Sequence, residues 1–79
     1  MEYNDYWSRE RQDSSYDILY NGKCMEPCAV KHFRDEKKYG TVSVIEGITN
    51  GNWEVVLEDE TVVKYDSCEA LVKSGWVVD

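Results

Sequence analysis

The stretch that decides the fold is residues 39–65, YGTVSVIEGITNGNWEVVLEDETVVKY. Apolar and polar residues alternate in it on both sides of Asn50-Gly51, a pair that is typical of tight hairpin turns. We therefore predict a strand over residues 41–49 and a second strand over residues 52–58. Together with a third strand, ending at Tyr65, they form an antiparallel meander.

The turn through Asp59-Glu60 leaves the register of the third strand open. A loop of three residues pairs Trp53 with Tyr65, whereas a loop of two residues pairs Leu57 with Val62. The first register buries Trp53 against Tyr65. The second frees aromatic edges for a ligand, so the function of this surface depends on a difference of one residue.

Short elements flank the meander. We predict a polar arm over residues 1–15, which is disordered or loosely docked or else forms a short helix, and a domain over residues 16–79. The other expected elements are a strand over 16–20 with a hairpin turn at 21–22, a strand over 23–33 bent at Pro27 (or a helix from Pro27), a charged loop over 34–38, a helical turn over 68–73 and a last strand over 76–78. This pattern predicts a mainly-β domain: a small SH3-like barrel or a bent antiparallel meander with one short helical turn.

Composition limits the functions that the chain can have. Its 79 residues form one domain, and its 42% hydrophobic content suffices for one small core. The net charge is −7, and residues 41–79 carry eight acids against two bases. Such a charge argues against direct binding of nucleic acid and favours a basic peptide or protein as the partner.

The three cysteines do not form a disulfide framework, because an odd count leaves one unpaired. The sequence shows no apolar leader and no apolar run long enough to cross a membrane, so we expect an intracellular protein, cytoplasmic or nuclear, with reduced thiols. Cys24, Cys28, His32 and Cys68 have the ligand types of a structural zinc site. Their spacing differs from that of zinc knuckles, so we predict no metal and no other cofactor.

The chain resembles a Tudor domain, a member of the SH3-like barrel group, from Gly22 to Leu71. The matching features are Gly22-Lys23, the polar loop at 34–38 with Tyr39, the segment 40–42 with Ile45, the segment 55–59, and the helical turn that ends at Leu71. The resemblance implies a small barrel that binds methylated lysine or arginine in a cage of aromatic rings.

Transferred residue by residue, the resemblance places Phe33 and Tyr39 at two positions of the cage and Asp59 at its acidic position. The other two cage positions fall on the aliphatic Leu57 and Val62. Trp53 or Tyr65 could replace them only if the hairpin register turns these rings outward. The predicted ligand-binding residues are therefore Phe33, Tyr39, Trp53, Asp59 and Tyr65.

A second interpretation rests on the acidic residues. Carboxylates along a β-surface can imitate the phosphates of a nucleic acid, and the predicted acidic face consists of Glu46, Glu54, Glu58 and Glu60. Glu46 falls among apolar residues in the predicted hairpin, so it must lie at the rim, find a partner or mark a bulge. Residues 40–59 are weakly similar to the β-meander of a family of small phage anti-CRISPR proteins.

We find no enzyme signature. Cys28 and His32 have no third group to orient them, and a chain of this size leaves little room for a substrate cleft. The sequence therefore predicts a non-enzymatic module that binds a basic protein segment, methylated or not, as a monomer or weak homodimer. The alternative is a small acidic inhibitor of the anti-CRISPR or anti-restriction kind, acting in a host cytoplasm if a phage encodes it.

Overall fold

A five-stranded antiparallel sheet with three helices makes up the fold of the computed structural model, which describes residues 2–33 and 38–79. The elements are α1 (Arg9–Tyr20), β1 (Cys28–His32), β2 (Tyr39–Val42), α2 (Val44–Asn50), β3 (Trp53–Leu57), β4 (Val62–Tyr65), α3 (Cys68–Lys73) and β5 (Trp76–Val78). The strands lie in the order β4-β3-β2-β1-β5. This confirms a mainly-β, antiparallel domain, but β4 and β5 are the two ends of the sheet, which is not closed into a barrel.

The predicted strand over residues 16–20 is wrong, because these residues form the last turns of α1. Ser8 caps the helix by accepting a hydrogen bond from the backbone N–H of Arg11, and Leu19 is buried on its inner side. Asn21 ends the helix instead of turning a hairpin, since its N–H donates to the Asp17 carbonyl. The helix spans the predicted boundary between residues 15 and 16.

The segment before α1 is docked on the domain through Gln12, which is completely buried. The Gln12 amide nitrogen donates to the carbonyls of Asn4 and Trp7, and its oxygen accepts from the Asn4 N–H at 2.9 Å. The Trp7 indole donates to the carbonyl of Gly75, just before β5. A buried amide with all these partners fixes the path of the chain into the helix.

The predicted strand over residues 41–49 is confirmed only for Thr41 and Val42 and is wrong after them, because β2 stops at Val42 and α2 follows. The Ser43 hydroxyl accepts a hydrogen bond from the Glu46 N–H, and the Glu26 carboxylate accepts from the N–H groups of Val44 and Ile45. Gly51, with φ of 72°, ends the helix. Asn50-Gly51 is thus the end of a helix rather than a hairpin turn.

Three residues, 58–60, separate Leu57 from Thr61, which close the β3–β4 hairpin by a hydrogen bond, and so Trp53 pairs with Tyr65. The Glu60 N–H donates to the Leu57 carbonyl, and the Leu57 N–H donates to the Thr61 carbonyl at 2.8 Å. Glu60 lies in the left-handed region with φ of 70°, as the third residue of such a loop must. Of the two registers that the sequence allows, this is the one that buries Trp53.

The strand predicted across Pro27 is confirmed from Cys28 to His32, where Cys28 and Val30 are buried and Ala29 is exposed. It lies between β2 and β5, so it is not an edge strand. The core lies between the helices and the face of the sheet that carries Cys28 and Val30. Its fully buried members include Leu19, Val30, Val42, Val55, Leu71 and Trp76. Most of the predicted charged loop, residues 34–37, lies outside the described residues.

Candidate binding surface around helix α2

Helix α2 lies unusually close to the sheet because Gly47 faces it. A Cβ atom on Gly47 would lie only 2.5 Å from the ring of Trp53, a core residue that is 6% exposed. The opposite side of the helix faces solvent. Ile45 and Ile48 lie there, three residues apart, with exposed fractions of 62% and 52%. Two branched apolar side chains this exposed are typical of contact surfaces.

Tyr20, at the end of α1, extends this apolar surface and is 59% exposed. It lines a groove of about 380 Å³ together with Ile48, Gly47, Trp53 and the start of α3. On the other side of Ile48, a second groove of about 290 Å³ runs between α2 and the segment 22–26. We call Tyr20, Ile45 and Ile48 the apolar ridge.

A third groove, of about 410 Å³, lies where α2 meets the solvent-facing side of the sheet. It is lined by Pro27, Thr41, Ser43, Glu46, Asn52, Glu54 and Val56 and is called the acidic groove below. Among the lining residues that the structure describes, the charged ones are Glu46 and Glu54. The two grooves beside the apolar ridge are also lined by glutamates, Glu69 and Glu26 respectively, and among the described residues that line all three grooves there is no lysine or arginine.

Hydrogen bonds hold two of these carboxylates in place and ionised. The amide groups of Asn50 and Asn52 donate to Glu46 at 3.0 and 3.2 Å, and these bonds lower the pKa of the Glu46 carboxyl. A hydrogen bond from the Ser43 hydroxyl and those from the N–H groups at the start of α2 lower the pKa of Glu26. Both carboxylates are therefore charged at neutral pH, and Glu46 has found the partners that its sequence position required.

The predicted acidic face is divided into two parts. Glu46 and Glu54 share the acidic groove, whereas Glu58 and Glu60 lie in the β3–β4 loop, where both are exposed. Glu58 follows the end of β3 and is four residues after Glu54, which corresponds to about 13 Å along an extended chain. A ligand must therefore be extended to contact both parts.

The structure does not bring the predicted aromatic cage together. Gly40 pairs with Leu57 on one side and with Val30 on the other, so β3 and β1 run in the same direction on either side of β2. Trp53 comes before Leu57 in its strand, whereas Phe33 comes after Val30. The two rings therefore belong to residues about 23 Å apart along the strand direction. A cation–π cage needs rings within about 6 Å of the cation. Trp53 faces the core.

The other predicted ligand-binding residues have separate environments. The ring of Phe33 stacks on Tyr6, with 3.4 Å between centroids. The Tyr65 hydroxyl accepts a hydrogen bond from the Trp76 indole, and Tyr39 is exposed at the start of β2. Asp59 lies in the loop between β3 and β4, where it accepts from the Thr61 N–H.

The weak zinc candidates do not come together as one group, although Cys24 lies close enough to Cys28 for a hydrogen bond between the two thiols. Cys28 and Cys68 are buried in the core, where burial raises the pKa of both thiols, that of Cys28 to about 12. Cys24 is half-buried, and the ring of His32 is within hydrogen-bonding distance of the Ser74 carbonyl, at 2.9 Å. Across residues 2–33 and 38–79, no three histidine, cysteine or acidic side chains form a group that could hold a metal ion.

The residues that sequence reasoning missed are those of the apolar ridge. Ser43 and Glu46 match the capping-box pattern of a helix start, and Gly51 matches a helix end. Those two signals, combined, would have predicted a helix with Ile45 and Ile48 on one side. Tyr20 carries no such signal, because its exposure depends on where α1 ends.

Comparison with protein-family models, curated proteins and solved structures gives no significant match to this chain. In the part of the chain that the structure describes, every helix is too short or too polar to span a bilayer.

Proposed function

We propose that this domain is a non-enzymatic protein-binding module and that it binds a basic segment of another protein on the surface around α2. The observation that supports the proposal is the apolar ridge, three large exposed side chains beside grooves in which every charged residue that the structure describes is a glutamate. An apolar patch with a rim of one charge favours a partner with apolar side chains and the opposite charge. The net charge of −7 attracts such a partner over a longer range.

The acidic groove is suited to a lysine or arginine side chain. The aliphatic stem of that side chain would lie on Val56 and Pro27, and its charged end would lie between Glu46 and Glu54. Neighbouring apolar side chains of the same segment would cover Ile45 and Ile48. Because the predicted cage residues lie apart, this mode of binding depends on the charge of the lysine and not on its methylation.

The test is an NMR titration of the labelled domain with a synthetic peptide rich in lysine and leucine. The variant pairs Glu46→Gln with Glu54→Gln, and its matched control pairs Asp5→Asn with Glu10→Gln, two exposed acids away from α2. Each exposed charge pair contributes about 0.7 kcal/mol, so we expect affinity to fall about tenfold in the variant and to change little in the control. Equal losses in both proteins would show that binding follows net charge alone, which contradicts the proposed site.

Methylation provides a second measurement on the same peptide. We expect trimethylation of its lysines to leave the affinity within about twofold, since cation and stem are retained and no cage is formed. A strong preference for the methylated peptide, with shifts at Tyr39 and Phe33, would favour reading of methyl marks instead.

A second candidate function is the imitation of nucleic-acid phosphates. It is favoured by three consecutive exposed acids, residues 58–60, in the loop between β3 and β4. An inhibitor of this kind would compete with DNA for a basic DNA-binding protein, and its affinity would fall steeply with salt. Replacing Ile45 and Ile48 with serine distinguishes the two functions, because it weakens binding through the apolar ridge and leaves phosphate imitation unchanged.

A further inference from the structure

The two ends of the sheet differ in how their outer backbone groups are satisfied. At β5, helix α1 covers the edge: the Val78 N–H donates to the Ser15 hydroxyl at 2.9 Å, and the Val78 carbonyl accepts from the Arg11 guanidinium. Ser15 is buried, so this edge is closed to other chains. At β4, no helix within residues 2–33 and 38–79 forms hydrogen bonds with the outer edge in this way, and Val62 is 51% exposed.

The register identifies the free backbone groups of β4. Leu57 and Thr61 are joined by a hydrogen bond, so the next bonded pairs along this antiparallel ladder are Val55 with Val63 and Trp53 with Tyr65. The residues between them, Val62 and Lys64, direct their N–H and C=O groups away from β3. Within residues 2–33 and 38–79, these two donors and two acceptors have no hydrogen-bond partner in the protein.

A second copy of this chain fits the edge poorly. In an antiparallel pair of β4 strands centred on Val63, Glu60 of each copy would face Asp66 of the other. In a pair centred on Val62, Lys64 would face Glu60, but Asp66 would face Glu58, and in both registers two segments with an excess of acids would come together. Like charges that face each other across a ladder are destabilising. Residues 58–66 carry four acids and one base, Lys64, so the charge along this edge favours a basic strand.

We propose that β4 accepts an extended, basic segment of another protein as a sixth strand of the sheet. Its backbone would bond the four free groups of Val62 and Lys64. The residues that face Glu60 and Asp66 would be lysine or arginine, and the residue that faces Val62 would be apolar and β-branched. This site shares no residue with the α2 surface, so it goes beyond the function proposed above and does not depend on it.

The test uses a synthetic peptide with a lysine at each end and alternating valine and threonine between them. Its control is the same peptide with N-methyl groups on the two residues that would face β4. We expect hydrogen exchange of the Val62 and Lys64 amides to slow at least about tenfold at saturation. The methylated peptide should bind about 30-fold more weakly, because it cannot donate two hydrogen bonds.

A matched pair of variants, Val62→Pro and Val62→Thr, checks the role of the backbone. Proline removes the outward N–H without breaking a bond to β3, whereas threonine keeps the N–H and has nearly the shape of valine. NMR spectra of the free variants verify that both remain folded. We expect Val62→Pro to lose most of the affinity and Val62→Thr to retain it, and equal affinities would overturn the added strand.

The location of the NMR shifts separates this inference from the proposed function. Shifts at Ile45 and Ile48 without protection of Val62 and Lys64 would overturn the sixth strand and leave the α2 surface supported. Protection of the Val62 and Lys64 amides without shifts at Ile45 and Ile48 would support the sixth strand and contradict binding at the α2 surface. Sedimentation of the protein without peptide tests whether a second copy of the chain binds the β4 edge. A dimer that Val62→Pro abolishes would show that it does, which contradicts our proposal.

Discussion

The replacement of Gly47 by alanine tests the position of α2, on which the proposed binding surface depends. The added Cβ atom would lie 2.5–2.6 Å from three atoms of the Trp53 ring, whereas ordinary contacts begin at 3.4 Å. Helix and ring must therefore separate by about 1 Å. The ring belongs to a core residue, 6% exposed, and is not the free end of a flexible side chain, so it cannot move aside cheaply.

Two effects of opposite sign set the size of the change. Overpacking a core costs about 1–3 kcal/mol, and alanine gains about 1 kcal/mol over glycine inside a helix. A contact of 2.5 Å with a buried ring lies at the upper end of the overpacking range, about 2–3 kcal/mol. The gain offsets only part of this cost, so we expect the free energy of unfolding to fall by about 1–2 kcal/mol. For a domain of this size, that corresponds to a melting temperature lower by about 5–15 °C.

Urea unfolding followed by tryptophan fluorescence measures this change. The control is Thr49→Ala, at an exposed position of the same helix, which we expect to alter stability by less than about 0.5 kcal/mol. If Gly47→Ala proves as stable as this control, α2 is not packed on Trp53. The outward direction of Ile45 and Ile48, and with it the proposed surface, would then be wrong.

Two further predictions concern single residues whose backbone or charge is constrained. Replacing Glu60 with glycine should raise the free energy of unfolding by about 0.5–1 kcal/mol, because glycine adopts φ of 70° without strain. Replacing it with alanine removes the charge but keeps the strain, so comparing the two in urea isolates the backbone effect. Glu26 should contribute to stability above its ordinary pKa of 4.5 and lose that contribution as the pH falls through its lowered value in the folded state. The melting temperature of Glu26→Gln should therefore be lower than that of the unaltered protein at pH 7 and converge with it in acid, whereas a constant difference would contradict the capping role of the Glu26 carboxylate.

Local pattern in the sequence predicted the strands of the β3–β4 hairpin and the elements after it. The alternation over residues 52–58 and 61–65 matches β3 and β4, and the helical turn predicted over residues 68–73 is α3, which Ser67 caps. These elements are determined by residues close together in the chain. Even there, the register could not be predicted, because it depends on the left-handed conformation of Glu60, which the sequence does not reveal.

The alternation of polar and apolar residues did not predict the helices α1 and α2, because contacts between distant residues also stabilise them; the local signals for α2 are only its cap residues, Ser43 and Gly51. The start of α2 is held by Glu26, which lies 18 residues before Val44 in the chain. The path into α1 is held by Gln12, and Ser15 bonds to Val78, 63 residues away. Residues with alternating polarity, such as 16–20 and 41–49, are compatible with either structure locally. The contacts of the whole chain then select the helix.

This dependence explains why sequence reasoning found the acids but not the surface that they surround. Glu46 was recognised as a misplaced charge in a strand, and in the helix it becomes the hydrogen-bonded wall of a groove, facing away from Ile45 and Ile48. Glu60 shows the related conflict between stability and charge, because glycine would suit its backbone better than glutamate does. A strained acid at the tip of the loop is consistent with a role in contact with a partner. Replacing Glu60 with glycine should thus stabilise the fold and weaken the binding of a basic strand at β4. Because the two effects have opposite signs, this one substitution separates the contribution of Glu60 to binding from its contribution to folding.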